Sequence, residues 1–303
     1  MTGLWIPLTI AAALCQNLRS AVQKSLKAHL STAGATYVRF VGAWPFALLY
    51  LFALVEVWGY EVPAATPAFL TYCLLGSISQ ISFTFLLIHL FSFRNFATGV
   101  VYSKTETAQV ALFGLLLLGD PVSLGTVVAI AVSLVGVVAL SLARTNLGVG
   151  NLVRGLTERT TVLGLGCGAL LGLSVVLFRG ATLSLGGDGF VIQAATSLAY
   201  TLGMQTAIMG GYLALREPDQ IRAILVRWRP ALAAGLAAAA GSILWRSAYT
   251  IQVAAYVRAL GQIELLFAVL TTTLIFRERI KRLELVGIAL IAGGILILLA
   301  GGL

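Results

Sequence analysis

Ten apolar stretches of about twenty residues follow one another along the chain, at roughly 3–23, 35–55, 68–90, 96–118, 123–143, 161–183, 189–214, 230–250, 256–275 and 284–302. An α-helix rises about 1.5 Å per residue, so about 20 apolar residues cross the hydrocarbon of a bilayer. Lipid offers no water to bare amides and carbonyls, so each segment must satisfy its own backbone. The spans are therefore expected as helices rather than strands. The pattern predicts an all-α membrane protein with ten transmembrane helices. The start, Met1-Thr2-Gly3-Leu4-Trp5, has no basic n-region, and no small-residue cleavage site ends the first stretch, so that stretch is expected to stay as a helix.

The second half of the pattern resembles the first. When residues 76–142 are slid against 241–300, Gly76-Ser77 meets Gly241-Ser242. With a gap in the intervening loop, Glu106 meets Glu264 and Asp120 meets Glu278. Ile130-Ala131 and Gly136 then fall on Ile288-Ala289 and Gly294. Two five-helix repeats are expected, 1–143 and 161–303, joined by a basic linker loop at 144–160. Five is odd, so the second copy enters the membrane from the opposite side. Inverted repeats of this kind are common in secondary transporters, with the substrate near the midplane between halves.

Composition agrees with membrane burial: 59% of residues are hydrophobic and 10% charged, against about 25% charged in a soluble domain. Small residues let membrane helices approach closely, which suits the 32 glycines. Cys15, Cys73 and Cys167 all lie inside predicted spans and read as small buried hydrophobes rather than a disulfide framework. A net charge of +9 could suggest nucleic acid, but threading ten spans separates it by side. Lys24, Lys27, Arg94, Arg144, Arg216, Arg277 and Lys281 collect with other bases on one side. Glu56, Glu61, Asp120 and Asp188 lie on the other. The positive-inside rule makes the basic side cytoplasmic, with both termini outward. The expected partner is the lipid bilayer, and no nucleic acid is expected.

Several segments carry a family resemblance. Trp5, the run Thr36-Tyr37-Val38-Arg39-Phe40, Leu117-Leu118-Gly119-Asp120-Pro121, and Phe276-Arg277-Glu278-Arg279-Ile280 followed by Glu284-Leu285-Val286-Gly287 resemble EamA-type members of the drug/metabolite transporter superfamily. The similarity covers essentially the whole chain. It implies a ten-helix carrier of small metabolites, often amino acids or related solutes, with export common and a bacterial inner membrane as the setting. It also implies cytoplasmic termini, opposite to the orientation the loop charges give.

Charges inside the spans are the sharpest candidates for chemistry. They are Arg19, Arg39, Lys104, Glu106, Arg179, Arg246, Arg258 and Glu264. Each costs on the order of 3 kcal/mol at a helix centre, so such groups pair or line a polar cavity. Arg39, Arg179 and Arg258 lie near span ends, where they could snorkel to headgroups. Arg19 and Lys104 sit deeper and are expected to face a cavity. Glu106 and Glu264 occupy equivalent positions, and Glu106 shares a helical face with Tyr102 and Gln109. Such a desolvated carboxylate could take up a proton and couple it to transport. The plainer alternative is that each acid neutralises a buried arginine on another helix and never titrates.

Two polar stripes add a candidate substrate face. Ser77, Gln80 and Thr84 align on span three, while Ser242, Trp245, Tyr249 and Gln252 align at corresponding positions on span eight. With Tyr102 they suit a substrate-sized cavity with a few hydrogen-bonding anchors, although interhelical bonding would explain them without a ligand. Trp44-Pro45 reads as a hinge or fixed bend in span two. Gly164, Gly166, Gly168 and Gly172 read as close packing rather than a phosphate loop, with no Gly-Lys-Ser/Thr after them. No HExxH, zinc-ligand cluster or Ser/His/Asp set is present, so neither catalysis, metal nor cofactor is expected. The expected function is a secondary transporter of a small polar or amphipathic, amino-acid-like solute, with protons as a candidate coupling ion. Its rivals are a passive facilitator or exchanger with structural carboxylates, and a membrane-embedded lipid carrier or enzyme.

Overall fold

The computed structural model describes residues 3–26, 30–90, 102–145, 159–186, 189–226, 228–276 and 281–301. Twelve helices lie among them: α1 (Trp5–Leu26), α2 (Thr32–Glu56), α3 (Pro67–Leu90), α4 (Glu106–Leu118), α5 (Leu124–Thr145), α6 (Arg159–Leu183), α7 (Phe190–Arg216), α8 (Pro218–Val226), α9 (Trp228–Ile251), α10 (Ala254–Gly261), α11 (Ile263–Phe276) and α12 (Arg282–Gly301). Proline opens α3 and α8, where its missing amide costs nothing and its fixed φ suits the first turn. Ser31 caps α2 by accepting from the Gly34 amide at 3.1 Å. α2 runs through Pro45 without a break. Gly119 ends α4 in the left-handed region at φ 66°, the conformation that favours glycine at a helix C-terminus.

Six of these helices, α2, α3, α5, α6, α9 and α12, are long and apolar enough to cross a membrane. Beside a buried apolar core that includes Phe40, Phe69 and Ile192, the chain exposes large apolar side chains and buries charged ones. Leu49, Phe52, Leu116, Leu215 and Leu296 are exposed, whereas Ser77, Glu106, Ser197, Thr201, Gln205, Arg246 and Arg258 are buried. Large apolar side chains on the outside, with polar and charged groups held inside among a buried apolar core, suit a hydrocarbon solvent, so the chain is membrane-embedded.

Two expected spans look different from their apolar pattern. The stretch at 256–275 is two helices, α10 and α11, meeting at Gln262. The backbone ladder tightens there to i→i−3 bonds: Gln262 N–H donates to Ala259 O at 3.3 Å and Leu265 N–H to Gln262 O at 3.0 Å. The stretch at 96–118 tightens in the same way before α4. Thr105 N–H donates to Tyr102 O at 3.1 Å and Ala108 N–H to Thr105 O at 3.0 Å. The helix α8, between α7 and α9, was not expected. Its Ile224 packs with Leu30, Ala35, Val38, Ala231 and Ala234.

The chain forms two compact units, each drawing on both halves of the sequence. The first comprises Gly3–Ile81 and Leu177–Gln252; the second includes Ser82–Val176 and Val253–Leu303. In the first, α1 packs on α9, and α2 on both α7 and α9. In the second, α5 packs along α12, and α10 touches α4, α5 and α12. Glycine makes these approaches possible. A Cβ on Gly136 of α5 would lie 2.8 Å from Gly287 O and from Ile291 N of α12. One on Gly294 would lie 2.8 Å from Ala129 O and 3.0 Å from Ser133 N. In the first unit, a Cβ on Gly42 of α2 would lie 2.8 Å from Ala231 O of α9. With lipid outside, such van der Waals contact is the main force between helices.

Gly136→Val should force α5 and α12 apart and cost about 1–3 kcal/mol. The neighbouring Val135, 59% exposed, should accept leucine at no cost. Thermal unfolding of the purified protein in detergent checks the pair, and equal midpoints would mean the glycine contact carries no weight.

Candidate functional site

Each unit holds a buried polar cluster. In the second unit, Glu106 is the first residue of α4 and Arg258 lies in the last turn of α10. Each charge is thus favoured by the dipole of its own helix, the acid at an N-terminus and the base at a C-terminus. Both are buried, and Arg258 Nη2 donates to Glu106 Oε1 in a charge-assisted pair. Beside them Gln262 Nε2 donates to Thr107 Oγ1 at 2.5 Å. Glu264, half-buried in the first turn of α11, interacts electrostatically with the same Arg258. Lys104 is half-buried two residues before Glu106. Gln109 Nε2 donates to Thr105 Oγ1 at 2.9 Å, and Tyr256 OH is 3.3 Å from Ser123 Oγ.

In the first unit the centre is Arg246 of α9, only 6% exposed. Its Nη1 donates to Ser197 Oγ and its Nη2 to Thr201 Oγ1 of α7, each at 3.1 Å. The guanidinium lies 4.0 Å over the Phe178 ring. Trp245 and Tyr249 stack with centroids 5.6 Å apart on the same helix. Gln205 Nε2 donates to Gln80 Oε1 at 2.7 Å, and Ser77 Oγ lies 3.4 Å from Thr201 O. Ser77 and Gln80 of α3 thus lie in the same unit as the α9 stripe, and α7 is bonded to both helices.

Two arginines do not snorkel. Arg179 is buried and donates to the Tyr249 and Gln252 carbonyls at the C-terminal end of α9, the second at 2.6 Å. It caps that helix and answers the negative end of its dipole. Arg258 turns inward to Glu106. Proximity to a span end is shared by headgroup contact and helix capping, and here the protein supplies acceptors that compete with water.

Of the expected substrate residues, Gln80, Trp245, Tyr249 and Gln252 lie in the first unit. Thr84 and Tyr102, both half-buried, lie in the second, so the six do not gather in one unit. The side chain of Arg19 and all of Glu278 lie outside the described residues. The α7 face is absent from the stripes weighed above. Its signal is a ladder of polar residues in an apolar helix, Gln193, Ser197, Thr201 and Gln205, spaced four apart.

Fold and clusters define an all-helical, membrane-embedded protein with charged groups held inside. No family model matches the chain, and no curated protein matches it. Among solved structures, a chain described only as the crystal structure of a protein superposes with a TM-score of 0.71. The match spans 97% of this chain and 94% of that one at 15% identity. At that identity the likeness shows the shared fold alone.

Since Glu264 acts electrostatically on the arginine that Glu106 pairs with, Glu106→Gln or Glu264→Gln alone should be tolerated better than both together. The double variant strands a buried guanidinium and should lose about 3–5 kcal/mol, more than the single losses added. Denaturant unfolding of the four proteins checks this, and simple additivity would mean the acids do not share the arginine.

Proposed function

We propose that this chain is a secondary transporter of the EamA type, within the drug/metabolite transporter superfamily. Ten spans in two inverted five-helix repeats would move a small polar or amphipathic metabolite by alternating access, with export the expected direction. The setting is a bacterial inner membrane, with the basic loops cytoplasmic.

The observation that carries this reading is the matched pair of interruptions before Glu106 and Glu264. In the register that sets one acid on the other, Gln262 falls on Lys104, next to Thr105, so the two ladders tighten within one residue of equivalent points. Carriers built from inverted repeats place substrate and coupling ions where such helices are discontinuous. The α5–α12 contact supports the repeat. In the same register Ala129 falls on Gly287 and Ser133 on Ile291. The approach of Gly136 to Gly287 and Ile291 is therefore mirrored by that of Gly294 to Ala129 and Ser133. Reciprocal contacts of this form are what a two-fold relation produces.

Of the two acids, Glu264 is the candidate for coupling in this reading. Glu106 is committed to Arg258, whereas Glu264 is half-buried and shares that base. The Glu106–Arg258 pair also favours a second reading, a facilitator in which the acids only neutralise charge.

Uptake of radiolabelled amino acids and small metabolites into proteoliposomes, with and without an imposed pH gradient, tests both. Gradient-driven accumulation that Glu264→Gln converts to simple equilibration is the expected outcome. Flux in the unaltered protein that ignores the gradient would leave the facilitator, and no flux for any solute would remove the carrier class.

A further inference from the structure

Among the described residues three guanidiniums, those of Arg179, Arg246 and Arg258, are buried, and their partners differ in kind. Arg258 has a carboxylate and Arg179 has the carbonyl end of α9. Arg246 has two hydroxyls and an aromatic face, all formally neutral. The acids described in its unit lie elsewhere: Glu56, Glu61 and Asp219 are exposed, and Glu217 accepts a bond from Ser31 Oγ at 2.5 Å. Thr201 Oγ1 donates to Ser197 O at 2.8 Å and Leu198 O at 3.1 Å, so toward Arg246 it serves as an acceptor.

A lone cation in an apolar interior is expensive, and replacing it with an apolar residue is often neutral or stabilising. The fold nonetheless aims it with two hydroxyls from successive turns of α7 and a ring 4.0 Å away. A planar guanidinium fixed in this way presents a donor fork matched to a carboxylate. Gln205 continues the same α7 face and carries an amide bond to Gln80, while the Trp245–Tyr249 stack lies on the helix of Arg246. These groups would take the polar and apolar remainder of a small molecule.

We propose that Arg246, held by Ser197 and Thr201, is the docking point for the carboxylate of the substrate, which is therefore an organic acid or an amino acid. This rests on the carrier reading for its physiological meaning, but binding can be measured without flux. The full-length protein in detergent is titrated with acetate, succinate, L-leucine and L-glutamate, and with the amide of each acid, while its thermal midpoint is followed. At least one acid should raise the midpoint saturably where its amide does not. Arg246→Met should unfold cooperatively at an unchanged or higher midpoint, yet bind that acid at least about tenfold more weakly. Acids and amides that act alike on the unaltered protein would overturn the proposal whatever the variant does, as would unchanged acid binding by Arg246→Met. An acid that binds but does not cross proteoliposomes would keep the anion site and remove the carrier reading. Flux of the amides at the rate of the acids would keep the carrier and remove the anion site.

Discussion

The cost of holding a charge where no water can reach it shapes the interior of this protein. A buried ion must find a partner inside the fold or destabilise it by several kcal/mol. Arg258 meets that demand with Glu106, and both lie at helix ends whose dipoles already favour their charges. Arg179 meets it with the Tyr249 and Gln252 carbonyls at the C-terminal end of α9, where the helix dipole is negative. A helix end inside the protein and a buried base therefore satisfy each other. That economy needs no acid, and it holds Arg179 of α6 to the end of α9.

The same solvent sets how the helices pack. Lipid tails compete for leucine as well as another helix does, so burial of large side chains gives little selectivity between partners. Backbone-to-backbone approach at glycine does give it, because contact is lost wherever a Cβ intervenes. Gly136 and Gly287 in the second unit, and Gly42 and Gly235 in the first, are such points. They let polar backbone atoms of neighbouring helices come close while the leucines of the outer faces remain in contact with lipid.

Sequence made some of this plain and hid the rest for physical reasons. Runs such as 123–143 and 284–302 predict α5 and α12 well, because a long apolar helix needs nothing beyond its own composition. The stretch at 256–275 reads as one helix, since hydropathy does not register a change from i→i−4 to i→i−3 bonding at Gln262. Glu106 was visible as an intramembrane acid, but its partner was not, because Arg258 lies far along the chain. The Gln193–Gln205 ladder was present in the letters and easy to pass over, since alanine, threonine and serine are common in membrane helices. The short helix α8 is set off from α7 by Glu217 alone, and only packing against α2, α7 and α9 gives its nine residues a reason to stay helical.

The two clusters hold their arginines in different ways. Arg258 bonds to Glu106, with Glu264 and Lys104 half-buried in the same cluster; the position that matches Arg258 in the first half of the sequence is Val100, so the repeat does not supply a second arginine. Arg246 is held by two hydroxyls and a ring, while the acids described in its unit lie elsewhere. A fold selected for stability alone would have little reason to keep a guanidinium held in this way, since an apolar residue or a completed ion pair would serve better. Under the carrier proposal it has a use. A guanidinium without a carboxylate has an affinity for an anion, so binding free energy can be drawn from charge that folding leaves unmatched.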